Sequence, residues 1–189
     1  MSIELEQTPA LVVIDLQAGI VALPTAHPVP QVIENSAKLA EAFRAKGLPV
    51  VLVNVDGTAP GRTERSKASG QSGARTLPPE STVLVPELNQ QPGDITVTKR
   101  TFGAFLSTDL DERLRAAGAN QIVLTGISTT SGVESTARSA HELGYHVAFV
   151  IDAMTDTDAA AHDASIERQF PKLGEIGTTA EVLASLGAR

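Results

Sequence analysis

Short apolar runs alternate with amphipathic segments along the chain, and this alternation restricts the possible folds more than any other feature of the sequence. Apolar runs rich in Val, Ile and Leu occupy residues 10–14, 50–55, 95–98, 121–125 and 147–151, with a weaker run at 175–177. Segments with the apolar spacing of helices occupy residues 31–46, 109–117, 133–143, 159–170 and 179–186. Continuous apolar runs indicate strands covered on both faces, and helical connections between strands give parallel pairing. We therefore predict the α/β class, with a mostly parallel twisted sheet and helices on both of its faces.

One stretch, residues 57–88, departs from the alternation because it is rich in Gly, Pro, Ser and Thr. It predicts a long loop excursion, and loops of this length in a compact protein are more often functional than idle. The length of 189 residues is close to that of one domain, so we expect a single domain over residues 1–189.

Net charge and cysteine content exclude several classes of function. The formal net charge of -7 opposes binding to nucleic acid phosphates, so we expect no nucleic acid partner. No apolar stretch approaches the roughly 18 residues of a membrane span, and the first residues lack a signal-peptide pattern, which favours a cytoplasmic protein with no membrane partner. The sequence has no cysteine, which removes disulfides, thiolate metal ligands and thiol nucleophiles.

The polar residues that end the apolar runs are the first candidates for a functional site, because open α/β sheets bind ligands beyond the carboxyl ends of their strands. Asp15 follows the first run and Lys99 follows the third. If their strands flank the crevice, the two side chains lie within ion-pair distance, and such a carboxyl group has the tunable pKa that acid–base catalysis needs. The alternative is that Asp15 caps a turn and Lys99 is a solvated strand end. The other run-ending polar residues are Asn54, Asp56, Ser128 and Asp152, and Asp152 is expected to brace a turn.

A segment of small hydroxyl residues and glycines, residues 125–133, joins the fourth run to a helix. Its backbone N–H groups can converge on an anion at the helix N-terminus, as in an oxyanion hole, although ordinary N-capping by Ser and Thr explains the same residues. Ser131 and Thr130 are candidate hydroxyl nucleophiles without an evident histidine base, which weakens them in that role.

The sequence favours a protein without metal or cofactor. No cluster of histidine and carboxylate residues has the spacing of a metal site, and no glycine-rich phosphate-binding motif follows a strand. Residues 56–75 are locally basic, and an arginine there can recognise a substrate carboxylate through its planar guanidinium group, although a solvated loop accounts for the same residues. The basic residues are Arg62, Arg65, Lys67 and Arg75, of which Arg62 is our candidate for substrate binding.

Three motifs in a fixed order point to one family. They are ALVVIDLQ at 10–17, TKR at 98–100 with Phe105, and GISTTSGVESTA at 126–137, followed by Gly144-Tyr145 and Asp152-Ala153. Over nearly the whole chain, this set resembles the isochorismatase-like hydrolase superfamily. The resemblance implies a three-layer α/β/α sandwich with about six strands, a small-molecule substrate, and a homodimer or higher homo-oligomer.

The resemblance also implies roles for individual residues. Most members are cysteine hydrolases that act on amides with an Asp, Lys and Cys triad, and Asp15, Lys99 and Gly132 occupy those three positions here. Isochorismatases proper carry glycine at the third position too, and they hydrolyse a vinyl ether without a covalent intermediate. By this resemblance Asp15 is the general acid, Lys99 holds the acid and the substrate, and the backbone from Ser128 to Gly132 lines the pocket. A cis peptide bond between Ile127 and Ser128 is expected as well.

The remaining candidate site residues carry less weight. Gln17, Phe105 and Thr129 are candidate substrate-binding residues from the same motifs, although Phe105 fits a core position equally well. The sequence departs from the family at Thr130, where many members have Asp, and at Gly103, where many have Ser. His162 is expected to be a packed structural histidine.

We predict a hydrolase without a cysteine nucleophile that uses Asp15 and Lys99 for acid-assisted hydrolysis of a small anionic substrate. The substrate type implied by the resemblance is an isochorismate-like vinyl ether, which yields pyruvate and a dihydrodiol acid. The alternatives are a non-catalytic small-molecule-binding protein on the same fold and a hydrolase that uses Ser131 or Thr130 as its nucleophile.

Overall fold

The predicted parallel sheet is present in the computed structural model, which describes residues 3–59, 61–68, 70 and 73–188, with the backbone alone for Arg65. Six strands form one parallel sheet in the order β3-β2-β1-β4-β5-β6, which confirms the α/β class. The strands are β1 (Pro9–Ile14), β2 (Val50–Val55), β3 (Ile95–Lys99), β4 (Gln121–Ile127), β5 (His146–Thr155) and β6 (Glu175–Gly177).

The strand order reverses between β1 and β4. From β1 the chain builds the sheet outward through β2 and β3, and it then returns to pair β4 on the other side of β1. Ile14 at the end of β1 is level with Gly126 in β4. The connections diverge at such a reversal, which leaves a crevice beyond the carboxyl ends of the two strands.

Helices cover both faces of the sheet and complete three layers. Side chains of β1 alternate between the faces, with Leu11 and Val13 in one apolar core and Val12 and Ile14 in the other. The helices are α1 (Ala18–Val21), α2 (Val29–Ala45), α3 (Glu64–Ala68), α4 (Leu110–Ala116), α5 (Glu134–Glu142), α6 (Ala159–Ala164), α7 (Phe170–Leu173) and α8 (Thr179–Gly187). The first core includes residues of α2 and α8, and the second includes residues of α4, α5 and α7.

Wide π-turns adjoin one predicted helix and interrupt another. The helix predicted at 133–143 is preceded by the π-turn Thr129–Val133, and the helix predicted at 159–170 is broken by the π-turn Ser165–Gln169. Pro171 explains the second break, because its nitrogen has no hydrogen to continue the regular α-helical ladder. The strand predicted at 147–151 also extends further, to Thr155, beyond a register shift opposite Leu124 and Gly126.

The excursion predicted at 57–88 contains α3 and two short 3-10 turns, Pro79–Thr82 and Pro86–Leu88. Gly57 pairs with Thr76 inside the excursion, and Leu84 pairs with Gln17, which closely follows β1, in isolated antiparallel bridges. Within the described ranges, none of the helices is both long and apolar enough to cross a membrane.

Candidate active site

Asp15 and Lys99 form a buried ion pair at the carboxyl edge of the sheet. Lys99 Nζ donates to Asp15 Oδ2 at 2.7 Å, and the two residues are only 3% and 5% exposed. Asp15 follows β1 and Lys99 ends β3, so the lysine chain passes the end of β2 to reach the carboxylate. The predicted ion-pair distance is confirmed, and a solvated Lys99 is excluded.

The backbone turns sharply where Asp15 leaves β1. Asp15 has φ 51, in the left-handed region that residues other than glycine seldom adopt. Gly126 of β4 lies so close to β1 that an added Cβ would be 2.0 Å from Ile14 O. A glycine is therefore required at 126 for the end of β1 to hold Asp15 in this place.

Burial and charge act in opposite directions on the Asp15 carboxyl group. Burial raises the pKa of Asp15 to about 6, against the lowering effect of the neighbouring Lys99 ammonium. Oδ2 accepts the hydrogen bond from Lys99, whereas Oδ1 is buried and has no hydrogen-bond partner in the described parts of the chain. When Asp15 is protonated, Oδ1 is therefore the oxygen that carries the hydrogen.

Gly132 lies directly against this ion pair. A Cβ added to Gly132 would be 3.2 Å from Asp15 Oδ2 and 2.7 Å from Ile14 Cγ2. The position at which the resemblance expects a nucleophile is thus beside Asp15, and the space for a side chain there is already occupied.

The segment between β4 and α5 begins with the cis peptide bond between Ile127 and Ser128 that the resemblance implies. Ser128 O accepts hydrogen bonds from the Ser131 and Val133 amides at 3.2 and 3.1 Å. The Thr130 amide and hydroxyl both donate to Asp156 Oδ2 at 2.8 Å.

Several backbone donors of this segment are already bonded within the protein. The amides of Thr130, Ser131 and Val133 are used within the chain, whereas the amide of the partly exposed Ser128 donates to no residue that the structure describes. Three amides of the predicted anion-facing backbone are thus taken up by the protein itself.

Comparison with known proteins identifies the family. The model of the isochorismatase domain matches residues 9–181. The chain belongs to the isochorismatase family. It is 42% identical over 186 residues to the isochorismatase family protein YwoC of Bacillus subtilis (strain 168), covering 97% of this chain and 96% of YwoC.

Two further relatives cover most of this isochorismatase-family hydrolase. The solved structure of an isochorismatase family protein from Burkholderia thailandensis superimposes with a TM-score of 0.91 at 41% identity, covering 99% of this chain and 100% of that chain. The ureidoacrylate amidohydrolase RutB of Variovorax paradoxus (strain S110) is 30% identical over 171 residues, covering 81% of this chain and 68% of RutB.

Gln17, a predicted substrate-binding residue of this isochorismatase-family protein, is fully buried and already bonded to backbone. Its Nε2 donates to Val55 O at 2.9 Å and Ser81 O at 3.0 Å, and its Oε1 accepts from the Val55 amide at 2.7 Å. The side chain therefore braces the end of β2 against the excursion, and its carboxamide is not open to a ligand.

The structure places Thr129, Phe105 and Arg62, the other candidate substrate-binding residues, in three different surroundings. Thr129 is fully buried, with its Oγ1 2.8 Å from His162 Nδ1. The Phe105 ring lies 5.8 Å from the Tyr145 ring and packs on the core beneath α4 and α5, which favours the core alternative. Arg62 is exposed, and no hydrogen bond joins it to Asp15 or Lys99 in the described structure.

Sequence reasoning missed two residues that hold the segment after the cis bond. Asp156 binds Thr130 and was overlooked because the fifth strand was predicted to end at 151, short of Thr155. His162 was expected to be a packed histidine, and it is buried, but its bond to Thr129 adds a specific contact. Asp152 braces the start of α8 as expected, since its Oδ1 accepts from the Thr179 amide at 2.7 Å.

No group of three or more histidine and acidic residues in the described ranges is arranged to hold a metal ion. Asp56, at the end of β2, is instead paired with Arg100 at 2.7 Å, and this pairing lowers the pKa of Asp56.

Proposed function

We propose that this isochorismatase-family hydrolase cleaves a small anionic vinyl ether of the isochorismate type by acid catalysis at Asp15. The observation that carries the proposal is the Asp15 carboxyl group, with Lys99 on Oδ2 and a buried Oδ1 that has no partner in the described structure. A carboxyl group whose pKa is raised to about 6 retains protons near neutral pH, as a general acid must.

The proposed reaction needs one acid and one water molecule. Asp15 Oδ1–H protonates the methylene carbon of the vinyl ether, which leaves a cationic carbon bonded to the ether oxygen. Water adds to that carbon and returns a proton to Asp15, and the resulting hemiketal collapses. The bond between the hemiketal carbon and the ether oxygen breaks and the hydroxyl proton passes to that oxygen, so that pyruvate and the ring alcohol leave.

The other residues of the site hold the reacting groups. Lys99 stays hydrogen-bonded to Oδ2 through the cycle, which keeps the carboxyl group oriented and stabilises its anion after proton transfer. The amide of Ser128, a partly exposed residue whose amide has no partner in the described structure, can bind a carboxylate of the substrate. Both features support an anionic substrate.

This chain cannot hydrolyse an amide through a thiol nucleophile, although one relative is named an amidohydrolase. The sequence contains no cysteine, and Ile14 crowds the side-chain position at Gly132. The Thr130 hydroxyl donates to Asp156 and has no histidine partner in the described structure, which disfavours it as a nucleophile. Ser131 has no recorded base there either.

The experiment that tests the proposal is pyruvate release from isochorismate, followed by coupled NADH oxidation. We expect wild type to release pyruvate and Asp15→Asn to lose at least about 100-fold in kcat, since removal of a general acid costs about that much. Asp109→Asn, a change in an exposed ion pair with Arg113, is the control and should keep full activity.

The outcomes separate the candidate functions. Binding of isochorismate without turnover supports the non-catalytic binding protein, and full activity of Asp15→Asn rejects acid catalysis at this residue. Thermal unfolding of each variant verifies that it is folded. The homo-oligomer and the cytoplasmic location implied by the sequence stay predictions.

A further inference from the structure

His162 contacts the site segment without a part in the proposed proton transfer. It lies on α6, is 4% exposed, and its Nδ1 is 2.8 Å from Thr129 Oγ1. Thr129 is fully buried, so the two side chains are bonded to each other inside the protein. The bond therefore acts on the position of the segment.

The hydrogen bonds within the segment are not those of a regular α-helix, so contacts from other elements, such as His162, help to hold it in place. In the π-turn Thr129–Val133, the Val133 amide donates to Ser128 O, five residues back. Single π-turns within helices are rare and are often found at functional sites. Gly132 lies inside this turn, and its distance from Asp15 follows from how the turn is held.

A residue of the second π-turn binds the helix that follows the first π-turn. Ser165, the first residue of the π-turn Ser165–Gln169, donates through Oγ to Glu134 Oε2 at 2.6 Å. Residues 159–169 thus hold both ends of the first π-turn, Thr129 through His162 and the start of α5 through Ser165.

The groups around His162 favour a neutral ring. Burial is the main cause that lowers the pKa of His162, and the His27 ring, with its centroid 4.6 Å away, adds to the effect. Asp163 on the same helix and Asp156 at the end of β5 oppose it. A neutral imidazole can meet the Thr129 hydroxyl as acceptor or as donor.

We propose that His162 is a positioning residue of the Asp15–Lys99 site, and that it fixes Gly132 through the hydroxyl group of Thr129. The effect on catalysis rests on the proposed function, whereas the effect on the segment does not depend on any substrate. Because Gly132 lies against Asp15 Oδ2, movement of the π-turn changes the space in which the acid works.

Amide hydrogen exchange of residues 126–134 tests the proposal without a substrate. Thr129→Val keeps the shape of the side chain and His162→Leu removes the ring nitrogens. We expect each to speed exchange in this segment by at least about tenfold, and the double variant to exchange no faster than the single ones. His162→Asn places an amide where Nδ1 lies and should stay within about twofold of wild type.

His141→Leu is the matched control, because His141 is exposed on α5 and its loss should leave exchange at 126–134 unchanged. Unchanged exchange in Thr129→Val and His162→Leu overturns the proposal. Fully additive effects in the double variant do so too, because two residues that share one hydrogen bond cannot act independently.

Pyruvate release from isochorismate gives the kinetic readout. We expect His162→Leu to lower kcat by about tenfold with little change in KM, and His162→Asn to restore most of kcat, because a positioning residue acts on the geometry of the transition state. If wild type releases no pyruvate, the proposed function fails and the exchange experiment alone decides. If wild type is active and His162→Leu keeps its kcat, the positioning role is overturned.

Discussion

Gly132 is the residue at which this protein departs most from a thiol hydrolase. The neighbouring atoms leave little room for a side chain at Gly132, because an added Cβ would lie 2.7 Å from Ile14 Cγ2 and 3.2 Å from Asp15 Oδ2. The close approach of Ile14 shows that the site is packed around a glycine at this position.

Gly132→Ala should therefore destabilise the protein and disturb its activity. The added methyl group forces Ile14 or the π-turn to move, and overpacking of this kind costs about 1–3 kcal/mol. Thermal unfolding should show a Tm several degrees lower, on the order of 2–4 °C per kcal/mol. Gly93→Ala is the control because no atom lies within 4 Å of its added Cβ. Equal stability and activity of Gly132→Ala would contradict the close packing.

Among the elements of the fold, the side chain of Gln17 joins the end of β2 to the 3-10 turn Pro79–Thr82. All the hydrogen bonds recorded for its carboxamide go to backbone groups, and the residue is fully buried. This arrangement makes Gln17 a brace for the excursion.

Gln17→Ala should lower the free energy of unfolding by about 2–4 kcal/mol, because it leaves buried backbone groups unpaired. Urea denaturation should show a lower midpoint with an unchanged slope. Gln90→Ala, which removes one exposed hydrogen bond to Thr96, should have little effect. A Gln17→Ala variant of unchanged stability and raised KM would instead favour direct contact with the substrate.

The strands and the Asp15–Lys99 pair could be predicted because they leave local signals. Apolar runs mark each strand, and the polar residue after a run marks the site edge. The π-turns and the contacts of Thr129 and Thr130 leave no such signal, because their partners His162 and Asp156 are 33 and 26 residues away. The last residues of β5 could not be predicted for a similar reason, because the strand continues to Thr155 only after a register shift against β4.

In the molecule as a whole, an ion pair between Arg44 and Asp94 joins helix α2 to the start of strand β3. Arg44 of α2 binds Asp94 through two nitrogens at 2.9 and 2.7 Å, and it also donates to Leu88 O at 3.1 Å. The Asp94 side chain is only 2% exposed. This pair fixes the chain between the excursion and β3, and thereby the strand that carries Lys99.

Arg44→Ala should destabilise the protein by about 3–5 kcal/mol, because it leaves the Asp94 carboxylate buried without a counter-charge. The midpoint of urea unfolding measures the effect. Arg113→Ala removes an exposed pair within one helix and should leave the midpoint nearly unchanged. Similar midpoints for the two variants would show that the Arg44 pair has no larger role than a surface pair.

In the proposed reaction the protonated Asp15 carboxyl group is the acid, and the pH dependence of pyruvate release from isochorismate tests this assignment. Burial raises the pKa of Asp15 to about 6, so the acid form is lost as the pH rises through that value. We predict that kcat/KM is highest below about pH 6 and falls about tenfold per pH unit above it. A profile that stays flat or rises between about pH 5 and 8 would contradict the claim.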